Sequence, residues 1–187
     1  MNGKTLTGLG DDSVVTITGS DTKVTVTSSA EEKGVITGGN NPSNGGGFSI
    51  QDATVSLHNL SITENKAIGD GGGVTGGGGI YAKGAKLTLD NVHIYENTAD
   101  YEDHEAADGG GILSLGGALT IKNNSVIENN TAIDDGGGIC ASNTLVNIEA
   151  SVIQDNHSLY GGGLMLLEKT LVQLPKTHVF KITVQSI

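Results

Sequence analysis

Gly77-Gly78-Gly79-Ile80 and, seventeen residues after the isoleucine, Asn97 in Ile94-Tyr95-Glu96-Asn97 form the stretch whose reading decides the fold. The glycine triplet and its apolar follower recur at Gly45-Gly46-Gly47-Phe48, Gly109-Gly110-Gly111-Ile112, Gly136-Gly137-Gly138-Ile139 and Gly161-Gly162-Gly163-Leu164. The same seventeen-residue count reaches Asn65, Asn129 and Asn156. Between these marks the phase runs without a gap. Seven residues on stand Val55, Leu87, Leu119, Val146 and Leu171; nine on, Leu57, Leu89, Ile121 and Ile148; fourteen on, Ile62, Ile94, Val126 and Ile153. Polar Ser56, Thr88, Thr120 and Asn147 sit between the paired apolar residues, which is the period-two pattern of a strand. No segment holds a 3.6-residue apolar period. Units of 25 to 32 residues with several strands and no crossover helix predict coils of a parallel β-solenoid.

A coil of this kind needs tight corners. Glycine reaches positive φ and leaves room where corners stack. An asparagine at a repeated turn bonds local backbone and the asparagine of the next coil. Asn65, Asn97, Asn129 and Asn156 are therefore expected to form a structural ladder. The chain divides into irregular N-terminal coils over 1–44, regular coils over 45–164 and a degenerate last coil or cap over 165–187, within one domain spanning 1–187. Lys181 stands where the next ladder asparagine would fall, and Pro175 interrupts that run.

Composition narrows the function. Glycine contributes 30 of 187 residues, the net charge is −11, and every one of the ten basic residues is lysine. An acidic chain without arginine is a poor nucleic-acid binder. No apolar run approaches the 18 residues of a membrane span. Cys140 is the single cysteine, which excludes an internal disulfide and a multi-cysteine zinc site. Nothing at the N-terminus resembles a signal peptide, and the chain reads as a piece of a longer secreted protein.

The pairing of Gly-Gly-x-Ile with Ile62-Thr63-Glu64-Asn65, Ile94-Tyr95-Glu96-Asn97, Val126-Ile127-Glu128-Asn129 and Ile153-Gln154-Asp155-Asn156 resembles the repeats of the chlamydial polymorphic outer-membrane proteins. It also resembles those of other bacterial right-handed β-helix surface proteins, over about residues 35 to 165. The resemblance implies an all-β fold: a single-stranded, right-handed parallel β-helix, a solenoid of pectin-lyase-like type. It implies the passenger region of an extracellular or cell-surface adhesin, without enzymatic activity. Its partner would be a host surface protein, matrix or glycan.

The segments after each asparagine vary in length: eleven residues from Lys66 to Gly76, eleven from Thr98 to Asp108, six from Asn130 to Asp135 and four from His157 to Tyr160. Insertions in solenoids project from one face, often the binding face. The second segment supplies the candidate binding loop: Asp100, Tyr101, Glu102, Asp103, His104, Glu105 and Asp108. Two sets of hard oxygen ligands could hold Ca²⁺. One is the row Glu64, Glu96, Glu128 and Asp155; the other is the pair Asp108 and Asp135. Glutamates splayed into solvent are the favoured reading of the row, and no cofactor is expected. Two further readings stand beside the adhesin. One is a carbohydrate-active β-helix enzyme using Asp134-Asp135 and the acidic loop; the other is an ice-binding solenoid, for which His58, Asp90, Lys122 and Glu149 break the outward threonine array.

Overall fold

The computed structural model describes residues 1–29, 31–69, 74–101 and 106–174. Among these the chain is all strand and turn, and the strands wind into a parallel β-helix. Each full coil contributes one strand to each of three sheets. In the first sheet Val15–Thr18, Phe48–Gln51, Ile80–Lys83, Ile112–Leu115, Ile139–Ser142 and Leu164–Leu167 lie side by side. The second stacks Lys23–Thr27, Thr54–His58, Lys86–Asp90, Ala118–Lys122, Leu145–Ile148 and Leu171–Gln173. The third stacks Thr5–Gly10, Gly34–Asn41, Leu60–Thr63, His93–Tyr95, Val126–Glu128 and Val152–Gln154. The long strand Gly34–Asn41 turns the corner, so its second half also carries Lys66–Gly69.

Alternation places the same side-chain type at the same height in each coil. The inward rows are Phe48, Ile80, Ile112 and Ile139 in the first sheet, Val55, Leu87, Leu119 and Val146 in the second, and Ile36, Ile62, Ile94, Ile127 and Ile153 in the third. All are buried in one continuous core. The first coil is in register with the rest, Val15 opposite Phe48 and Lys23 opposite Thr54. Only Thr5–Gly10 slips, between Thr7 and Gly10.

Two one-residue insertions shift the count read from the sequence. The turn after Lys122 holds both Asn123 and Asn124 at positive φ, where the coil below turns on Asn91 alone. Ile127, not Val126, therefore fills the inward row opposite Ile94. A second insertion follows Leu167, so Val172 sits over Val146, and Leu171 lies outward and exposed.

The glycine corner is sterically closed. Gly77 takes φ +68°, and a Cβ on Gly78 would lie 2.4 Å from the Thr98 carbonyl oxygen and 2.6 Å from that of Gly110. The backbones of successive coils touch here. Gly78→Ala is expected to lower stability by about 2–4 kcal/mol, since neither carbonyl can move without breaking its own stack. Gly116→Asn is the contrasting variant: its φ is +73°, a Cβ there would meet nothing nearer than 4.0 Å, and asparagine tolerates that φ. Chemical denaturation should show the Gly116 variant close to the parent and the Gly78 variant far below it.

Candidate functional site

The face of interest starts at the turn out of the third sheet. Glu64, Glu96, Asn129 and Asp155 occupy its first position at φ between +51° and +55°. Each is exposed, and the asparagine that follows it is buried. The structure places Asn65, Asn97, Asn130 and Asn156 in one row, at 1 %, 0 %, 0 % and 1 % exposure, values that leave every amide dependent on protein partners. Asn65 Nδ2 donates to Asn97 Oδ1 at 3.0 Å, Asn97 Nδ2 to Asn130 Oδ1 at 2.9 Å and Asn130 Nδ2 to Asn156 Oδ1 at 2.9 Å. Each Oδ1 also accepts the backbone N–H of the asparagine below. Each Nδ2 reaches the carbonyl two residues back and that of the row isoleucine one coil down, as Asn97 does to Tyr95 at 3.0 Å and to Ile62 at 2.8 Å.

Asn129 is thus a correction: the inserted residue at Asn123-Asn124 moves the row to Asn130. The same shift removes Glu128 from the expected row of acids. Glu128 instead lies outward in the third sheet beside Tyr95 and Gln154. There it pairs with His93 Nε2 at 2.9 Å and accepts from Gln154 Nε2 at 2.6 Å. Neutral Asn129 now separates Glu64 and Glu96 from Asp155, and the carboxylate row is broken. A second asparagine row at the preceding turn has no counterpart in the sequence reading. Asn91 Nδ2 donates to Asn59 Oδ1 at 2.7 Å, and Lys33 Nζ donates to Asn91 Oδ1 at 3.0 Å. Its signal was Asn59 and Asn91 lying at one phase, 32 residues apart.

Beyond the buried row, the two long segments are built as paired stems. Thr98–Tyr101 lies on Lys66–Gly69 with Thr98 opposite Lys66, and Ala107–Asp108 lies on Thr75–Gly76. Asp100 and Tyr101 are therefore strand residues, half-buried, and Asp100 meets Lys66 Nζ at 2.7 Å. Glu102, Asp103, His104 and Glu105 lie outside the described residues. Ala99, Ala107 and Ala132 form a small core beneath the stems, with Tyr101 packed against it. The next two coils carry shorter segments. Ile133, Leu159 and Tyr160 are exposed there, beside a shallow depression lined by Thr131, Ala132, Ile133, His157, Ser158 and Leu159.

Asp108 points inward. It is 7 % exposed, too closed for a substrate to reach, and Asp108 Oδ1 accepts the Asp135 N–H at 3.2 Å. Oxygens of Asp108 and Asp135 and the Cys140 sulfur lie within 4.8 Å of one another. Burial, with the charges of Asp135 and Asp134, pushes the Asp108 carboxyl up to about 6 against the opposing Asp135 N–H bond. Burial and Asp134 also raise Asp135. Cys140 is fully buried in an outward row with Tyr81 and Leu113; burial and the carboxylates of Asp108, Asp135 and Asp134 raise its thiol, which stays protonated and unreactive. Two carboxylates and a neutral thiol are fewer donors than the six to eight oxygens that Ca²⁺ takes.

The outward face of the second sheet mixes hydroxyls with charges. Ser56, Thr88, Thr120 and Asn147 form one column and His58, Asp90 and Lys122 its neighbour. Asp90 Oδ2 meets His58 Nδ1 at 3.4 Å and Lys122 Nζ at 3.3 Å. Burial would raise the Asp90 carboxyl, but the bonds from Asn123 and Lys122 and the charges of Lys122 and His58 hold it below its usual value.

Comparison with known families bears on the coil that contains Asn130. Residues 118–142 match the model of the Chlamydia polymorphic membrane protein repeat. The matched span runs from Ala118 through the second-sheet strand, the ladder turn and the triplet Gly136-Gly137-Gly138 to Ser142, which is close to one coil. Within it the structural register gives Ile127-Glu128-Asn129-Asn130 as the asparagine element, in line with Ile94-Tyr95-Glu96-Asn97. The chain is a parallel β-helix, and one of its coils is similar to this repeat, which belongs to chlamydial outer-membrane proteins. No curated protein and no solved structure gives a significant match.

The register can be tested directly. Asn130→Ala is expected to strand buried backbone groups and lower stability by about 1–3 kcal/mol. Asn129→Gly should leave the denaturation midpoint unchanged, because glycine accepts φ +54° and the side chain is exposed. The reverse ranking would return the row to Asn129.

Proposed function

We propose that this protein is a non-enzymatic cell-surface scaffold of adhesin type, which presents the segments beyond the asparagine row to a host surface protein, matrix component or glycan. The observation that carries this reading is the pairing of the two longest segments. They leave adjacent coils at one phase, stack as parallel stems and return as paired stems. The solenoid backbone stays constant beneath them. Function on repeat scaffolds generally resides in such variable excursions. The stems end in the acidic stretch that contains Tyr101, an amphipathic residue of the sort enriched at interfaces. The shorter coils beside them expose Ile133, Leu159 and Tyr160, which extend the same face with apolar surface. The match to an outer-membrane repeat supports extracellular display.

A graft tests this reading. Replacing residues 98–108 by the sequence of residues 131–135, the segment that closes the next coil, removes the excursion and keeps a working turn. The variant should retain its far-ultraviolet β signal, because that shorter closure already occurs in this solenoid. Binding to host cells or immobilised matrix should fall at least tenfold. A folded graft that binds as well as the parent would place the contacts on the flat sheets. A parent protein that releases reducing ends or unsaturated products from polygalacturonate, alginate or xylan would make the scaffold an enzyme.

A further inference from the structure

The return stem of the coil-three excursion is held by a carboxylate in an unfavourable place. Ala107–Asp108 is the last piece of the excursion before the glycine corner. Among the described residues, the coil below pairs with it through Thr75–Gly76, which carries no charge. The coil above presents Asp134 and Asp135. Their backbone ties hold the stem: Asp134 N donates to the Ala107 carbonyl at 3.2 Å, Gly109 N to the Asp135 carbonyl at 2.8 Å, and Asp135 N to Asp108 Oδ1 at 3.2 Å. Among the described residues, the Cys140 thiol of the first sheet lies beside the carboxyl, and Tyr160 is bridged to Asp135. Among the described residues no lysine or histidine forms an ion pair with Asp108 or Asp135. A nearly closed acid thus faces two further acids across the joint between excursion and solenoid.

We propose that Asp108 is a proton-operated latch: in mild acid its neutral carboxyl lets the return stem sit tightly against Asp134 and Asp135 of the next coil, and at neutral pH its ionisation loosens that stem and, with it, the root of the acidic excursion. The sign follows from linkage. The folded carboxyl titrates at about 6 against 3.8 for the free group. The native joint therefore binds the proton more tightly than the opened one between those values. Its stability falls as pH rises through that window and is level above it. The return stem Ala107–Asp108 would be held firmly in acidic surroundings and freed at neutral pH. This holds whether or not the face binds a host partner.

Hydrogen exchange of the intact chain, corrected for intrinsic rates, reads the joint at the amides of Gly109, Asp134 and Asp135. Their protection should drop between pH 5 and pH 7.5 by about tenfold, since pH 5 lies about one unit below the folded midpoint and already above the free one. Asp108→Asn keeps an acceptor for the Asp135 N–H and should show no such drop. Asp135→Asn should show a smaller one, burial of Asp108 remaining. Carbon-detected titration of the Asp108 carboxyl should give a midpoint near 6. Equal protection at both pH values, a drop retained in Asp108→Asn, or an ordinary midpoint near 4 would overturn the latch. So would strong protection of the parent, but not of Asp108→Asn, by millimolar Ca²⁺ or Zn²⁺ at pH 7.5, because the carboxylates would then be metal ligands.

Discussion

The amide of Asn97 bonds in three directions at once. It bonds its own turn at Tyr95, the coil below at Ile62 and the coil above at Asn130. With almost no exposure, none of these groups has water as an alternative, so each asparagine sets the height and phase of its neighbours. A turn that carries a row like this cannot slip by a residue without orphaning a chain of buried donors. The rows of isoleucine in the third sheet, from Ile36 to Ile153, stay aligned because the adjoining turn permits one register. Hydrophobic burial drives the coils together; the ladder decides how they meet.

The glycine triplets impose the complementary constraint. There the backbones of successive coils approach until a single Cβ would collide, so the stacking distance is set by main chain alone. Between these two rigid features, the asparagine turn and the glycine corner, lies the stretch whose length varies most. Its two ends are fixed in space whether it holds four residues or eleven. This separation of a determined frame from an undetermined excursion gives the solenoid its capacity to vary a contact surface without disturbing its core. The small alanine core of Ala99, Ala107 and Ala132 packs the bases of the excursions against one another.

Charge is distributed according to the same geometry. On the exposed sheet faces, acids stand beside partners, as Asp90 does beside His58 and Lys122 and Glu128 does beside His93. At the joint of the excursion, Asp108 is buried against like charge. The contrast is physical. An outward column of a parallel sheet brings coil-to-coil neighbours together in register and can be filled with opposite charges. The joint brings together residues from segments of unequal length, and among the described residues no such pairing forms around Asp108.

The repeat was legible because glycine at a backbone contact, asparagine in a buried turn and alternating aliphatics along a strand each answer to a local demand that recurs in every coil. From these the sequence by itself determined a parallel β-helix and the turn from which the variable segments depart. It misplaced the ladder by one residue at Asn129. The inserted residue at Asn123-Asn124 left Val126 at the phase of an inward position and an asparagine at the phase of the row, so residue types could not reveal the slip. The eleven-residue segments read as loops because their strand pairing is stabilised by the neighbouring coil and has little signature of its own. Only the tertiary structure set Cys140 beside the pair Asp108 and Asp135, and only it separated Glu128 from the other acids. Local preference repeats with the sequence, whereas contact between coils depends on the exact number of residues in each turn, and one extra residue exchanges which side chains meet.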